Sequence, residues 1–203
     1  MEPQWVGFLL HLNVWMMNHP ALIYRIPKLA DIFVFVYPIF LLVLYFRKLP
    51  QIATSLRSSQ RGALYYKISA LTIGFSVLMT AIINVLIQYF VDKVRPNAAL
   101  LIDNKTESIL HDFLPSSSFP SDHAAVSMSV AMATLLRIMK KDRRFVWISI
   151  PLFVFSLIMF CRITAAIHRP TDIIASVVLL VPLILTNRHV SFFERIARRI
   201  KKI

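Results

Sequence analysis

The chain predicts an all-α integral membrane protein: a bundle of five transmembrane helices, a sixth N-terminal helix that is interfacial or partly inserted, and a basic amphipathic helix at the C-terminus. Three observations carry that expectation. Hydrophobic residues fill 57% of 203 positions against 16% charged, and glycine occurs three times, a balance unlike that of soluble domains. Long apolar runs alternate with short polar segments. The net charge of +13 falls between those runs and not along an aromatic-studded polar face, so it points to membrane orientation and away from nucleic acid. Residues 1–203 read as one membrane-embedded domain.

Trp5 to Met17 is apolar apart from His11 and Asn13, and Asn18-His19-Pro20 stops it as a helix. Thirteen residues are too few to span alone. The segment 1–28 is therefore expected in the interface, with Trp5 and Trp15 as headgroup-level anchors. It has neither the basic leading region nor the small-residue cleavage site of a signal peptide. The expected spans are Leu29–Phe46, with Pro38 inside it, then Ile68–Val91, His123–Met139, Phe145–Cys161 and Asp172–Asn187. The uncharged cores of the third and fifth, Ala124–Leu136 and Ile173–Leu185, hold 13 residues each. At 1.5 Å per residue that is roughly 20 Å of a roughly 30 Å hydrocarbon core, so His123 and Asp172 belong at or just below the membrane surface.

Orientation follows from the basic residues. Five lie in Arg47–Lys67, five in Arg137–Arg144 and six in the tail 188–203, against two in Arg162–Thr171 and three in the 31-residue connection Asp92–Asp122. The positive-inside rule puts the first three segments in the cytoplasm. The tail sets Arg195, Arg198, Arg199, Lys201 and Lys202 against Phe192, Phe193, Ile196 and Ile200, which suits an anionic membrane face. Both remaining polar clusters then share the outer side, the geometric condition for one site.

The first cluster is Cys161-Arg-Ile-Thr-Ala-Ala-Ile-His168-Arg-Pro-Thr-Asp172, where ionisable groups interrupt apolar sequence and are usually kept for function. With a helix from Ile167 onward, His168 and Asp172 would stand at i and i+4 on one face. The carboxylate would then orient the imidazole and favour its cationic form. A short polar loop with a solvated His and a capping Asp would give the same pattern on its own. The second cluster is Lys93-Val-Arg95-Pro96 with Ser116-Ser-Ser-Phe-Pro120-Ser121-Asp122-His123, at the outer loop 92–123. A serine hydroxyl, free N–H groups at a helix N-terminus and arginine forks match phosphoryl oxygens. Two histidines beside them can supply a nucleophile and an acid.

Together these residues resemble the type-2 phosphatidic acid phosphatase superfamily of lipid phosphatases, whose signature has three parts. Arg95-Pro96 matches the end of the first, while Gln88 occupies its lysine position and leaves open whether Lys93 substitutes. Pro120, Ser121 and His123 match the second, with Asp122 in the glycine place. Arg162, His168 and Asp172 match the third, with Cys161 in place of serine. The lead into the third span looks most like bacterial undecaprenyl-diphosphate phosphatases of the bacitracin-resistance type, which would set the site on the periplasmic or exterior face of the inner cell membrane. Lipid A and phosphatidylglycerophosphate phosphatases share the scaffold.

The resemblance implies that His168 attacks phosphorus with Asp172 orienting it, and that His123 protonates the leaving oxygen and then activates water. Arg95, Arg162 and Ser121, with Lys93, would hold the phosphoryl oxygens. No metal or other cofactor is required, and the expected partners are a lipid phosphate substrate and the bilayer. Asp122 is the odd member, since a carboxylate repels phosphate; it should pair with an arginine or point away. The rival readings are a lipid or phosphate-ester transporter that kept the pocket, and a vanadate-dependent oxidase, against which five spans argue.

Overall fold

The computed structural model describes residues 11–12, 14–16, 18–47, 56–91, 93, 95, 117–138 and 145–185 and, within them, all side chains except those at 20, 23, 24, 56–63 and 180–185. Most of these residues are helical, with no strand among them. After helical residues 11–12 and 14–16 come α1 (Pro20–Val34), α2 (Val36–Phe46), α3 (Leu56–Phe90), α4 (Asp122–Arg137), α5 (Val146–Thr164) and α6 (Pro170–Leu185). The tail 188–203, residues 1–10 and connection residues 96–116 lie outside the described set.

Among the described residues three stretches are long and apolar enough to cross a bilayer: Arg25–Phe46, Leu64–Phe90 and Val146–Thr164. The first comprises the end of α1 and all of α2. They break at Phe35, because Pro38 has no N–H for the Val34 carbonyl. Phe35 N–H turns back to the Ile32 carbonyl at 3.1 Å. The helix of the second stretch starts at Leu56, so Arg57, Arg61 and Lys67 are helical and not part of a free connection. Of the helices expected as the third and fifth spans, α4 has 16 residues, about 24 Å of rise, and α6 is described over Pro170–Leu185.

The packing inverts that of a soluble protein. Ile32, Phe35, Ile39, Leu42, Val43 and Phe46 form an exposed apolar stripe, and Leu71, Leu78, Ile82 and Leu86 form another. Inside are small and polar groups. The buried face of α3 carries Ser69, Thr72, Ser76, Thr80, Asn84 and Gln88. Lipid tails are as apolar as leucine, so helices in them associate through close packing and hydrogen bonds. The central helix, α4, packs on α3, α5 and α6 and buries Ala124, Ala125, Ser127, Ser129, Ala131, Ala133 and Thr134. Ser129 Oγ donates to Thr80 Oγ1 at 3.0 Å across the α3–α4 seam. On its other flank α5 also packs on α1, which brings the N-terminal helix to the end of α5.

Candidate active site

Chain geometry at the ends of α4, α5 and α6 builds the site. Helix α5 runs three residues beyond Cys161, so Arg162 lies in its last turn. The turn that follows is a Schellman closure: Ala166 N–H donates to Ile163 O at 3.0 Å and Ile167 N–H to Arg162 O at 3.1 Å. Such closures place a left-handed residue just past the helix, usually glycine, and here Ala166 takes it with φ 53°. Ile167 is buried with Met16 and Ala165, and the chain delivers His168 inward. Pro170 opens α6, where its preset φ suits the first helical position.

The expectation that His168 and Asp172 share a helical face is corrected by that start. His168 sits in the turn before the helix, and no hydrogen bond joins it to Asp172. Asp172, fully buried, instead accepts from the Arg169 N–H at 3.1 Å, the back-bond of a capping box, and pairs with Lys93 Nζ at 2.5 Å. His168 Nδ1 lies 2.9 Å from the Ser118 carbonyl. A carbonyl only accepts, so Nδ1 carries the hydrogen and Nε2 keeps its lone pair. The cationic form is not favoured either. Burial first, then the Arg162 and Arg95 cations and His123, hold His168 well below the ordinary histidine pKa.

Ser121 caps α4, its Oγ accepting from Ala124 N–H at 3.4 Å. Its own N–H donates to Ser176 Oγ at 2.7 Å, and that hydroxyl donates to Asp172 O at 2.6 Å, so one serine ties the start of α4 to α6. Asp122 meets an amide and not an arginine: it accepts from Asn84. An amide partner fits, because α3 presents no cation there. Gln88, in the lysine place, is buried and donates to Pro120 O at 2.7 Å. Lys93 stands beyond the end of α3, against Asp172 and the Phe119 ring. Ser118 N–H donates to Lys93 O at 2.7 Å, which closes the two ends of the long connection on each other. Arg95 is half-buried, with its charge bearing on His168.

Arg162 is 1% exposed and at the centre. Its Nη2 contacts the Asp31 carboxylate and both ring nitrogens of His123, while its Nε has no hydrogen-bond partner among the described residues. His123 Nε2 also lies 3.0 Å from Asp31 Oδ1. Asp31, on α1, is the residue that the sequence reading missed. It is the one charged side chain in the Leu29–Phe46 run, and an acid within an apolar run is the signal that could have found it. Ser118 and Ser176 carried no comparable signal, since their roles depend on how segments meet.

The structure thus gathers two histidines, two arginines and a lysine at the helix ends of a bundle with outward-facing apolar stripes, a set of groups suited to phosphoryl oxygens within a membrane. The family model described as the PAP2 superfamily matches residues 69–192, and the chain belongs to that superfamily. Its members are phosphatases, and membership suggests a membrane protein acting on lipid phosphates. Comparison with curated proteins and with solved structures returns no match.

Proposed function

We propose that the protein is a membrane lipid phosphatase that hydrolyses undecaprenyl diphosphate to undecaprenyl phosphate and phosphate through a phosphohistidine. The observation that carries this is His168, buried and neutral, with Nδ1–H committed to the Ser118 carbonyl and Nε2 free to attack, beside the Arg162 guanidinium. In the first step the Nε2 lone pair forms the N–P bond, the bond to the leaving oxygen breaks, and His123 provides its proton. In the second, water attacks phosphorus, His123 takes the proton, and the N–P bond breaks to release phosphate. Arg162, Arg95, Lys93 and the Ser121 end of α4 stabilise the charge on the phosphoryl oxygens without a metal. Ser118 orients the nucleophile; Asp172 positions Lys93 and caps α6.

On this reading α4 and α6 complete five spans, the basic tail lies on the cytoplasmic face, and the site opens to the periplasm or exterior of the inner membrane. The motif spacing and the basic residues support that orientation. A lipid A, phosphatidylglycerophosphate or phosphatidate phosphatase is the alternative on the same scaffold. The test is a substrate panel with His123→Ala. A polyprenyl phosphate leaves as a weak base, with a second pKa of about 6, whereas an alkoxide must be protonated as it departs. His123→Ala should therefore cost much more on phosphatidate-like monophosphates than on the diphosphate, in single-turnover phosphohistidine formation. A wild-type enzyme that ignores diphosphates would move the choice to a monophosphate lipid.

A further inference from the structure

We infer that Asp31, on the N-terminal helix α1, is the positioning residue that sets the proton on His123 and bridges it to Arg162. This rests on the reading of His123 as the leaving-group acid. The two residues are 92 positions apart, and the first lies outside all three motifs. Their juxtaposition comes from α1 packing along α5, which carries the Asp31 carboxylate, 7% exposed, to the buried end of Arg162.

A carboxylate so buried needs partners, and the guanidinium and the imidazole are among those it has. The carboxylate can only accept from His123 and the guanidinium can only donate to it, so the two make opposite demands on the same Nε2, and the role inferred for Asp31 is to hold the hydrogen-bearing form. Arg162, 2.5 Å from the same Nε2, acts in the opposite sense, because a cation there disfavours a second positive charge. The other charged or titratable groups facing His123 are its neighbour Asp122, held by Asn84, and His168 across the pocket. Asp31 thus opposes Arg162 at this nitrogen and favours the ring that holds its proton there. The same carboxylate fixes the guanidinium, leaving Nε of Arg162 for a phosphoryl oxygen. Helix α1 is in this way part of the site.

The test uses the full chain in detergent with ¹⁵N-labelled histidine, the His123 signals being assigned by their loss in His123→Gln. In the wild-type protein the neutral ring should carry its hydrogen on Nε2, and Asp31→Asn should lose the imidazolium at a pH at least about one unit lower. In turnover, Asp31→Asn should lower kcat on a monophosphate lipid at least tenfold more than on a polyprenyl diphosphate, with KM within about twofold, and Asp31→Glu should recover part of it. A hydrogen on Nδ1 in the wild type, an unchanged titration, or equal kcat losses on both substrates would each overturn the inference. Should Asp31→Asn not fold, the wild-type tautomer still decides. Should the wild type hydrolyse no lipid phosphate, the proposed function fails, while the NMR result still decides for Asp31.

Discussion

Replacing His168 with Asn tests the neutral nucleophile through stability and not turnover. Asn presents an amide N–H to the Ser118 carbonyl, 2.9 Å from Nδ1 in the native protein, and removes the titrating ring. The native imidazole is held neutral by burial and by Arg162 and Arg95, so its pKa lies well below the roughly 6.5 of an unfolded histidine. Between those two values the unfolded chain binds a proton that the folded chain refuses, so stability falls as pH falls. The contribution is complete above about pH 6.5 and declines by about 1.4 kcal/mol per pH unit below it, for as long as the native ring stays neutral. Unfolding free energies in mixed micelles, measured from pH 8 to 5 for both proteins, isolate the difference. Wild type should lose stability more steeply than His168→Asn below pH 6.5. Parallel curves, or a shallower wild-type curve, would show that the ring is charged in the folded state and refute the reasoning.

Ala166→Gly should stabilise the fold by up to about 1 kcal/mol, the left-handed cost of a β-carbon less the extra unfolded-state entropy of glycine, whereas Ala166→Val should destabilise it; thermal unfolding in detergent reads both. Turnover should survive chelation and be blocked by vanadate, which takes five-coordinate geometry on His168. Loss with chelator and recovery with magnesium would contradict the role given to Arg95 and Arg162. In a Cys161→Ser background, an impermeant thiol reagent on intact cells should mark Asn104→Cys and spare Ser58→Cys, and the reverse pattern would invert the topology.

Much of this was legible because chemistry in a membrane is conspicuous in sequence. Arg162, His168 and Asp172 interrupt apolar runs, and the structure draws them together with His123, Ser121, Lys93 and Arg95. Pairings were far less legible. His168 and Asp172 have helical spacing, yet Pro170 starts the helix after His168, which separates them and gives each another partner. Asp122 meets an amide from α3 because the buried side of that helix is polar, a pattern masked by the apolar composition of the run. Asp31 lay within an expected span, and nothing local says that α1 returns to the end of α5. The shortness of α4 was also anticipated, since the uncharged core Ala124–Leu136 was short in sequence and the helix has 16 residues.

The central claim is a covalent phosphate on His168. Brief mixing with a lipid diphosphate radiolabelled at its terminal phosphorus, followed by a base quench and peptide mapping, tests it most directly. The account predicts an alkali-stable, acid-labile phosphoryl group on His168, formed in His123→Ala as well and absent in His168→Asn. Label on any other residue, or single-turnover release of phosphate with His168 never labelled, would contradict it.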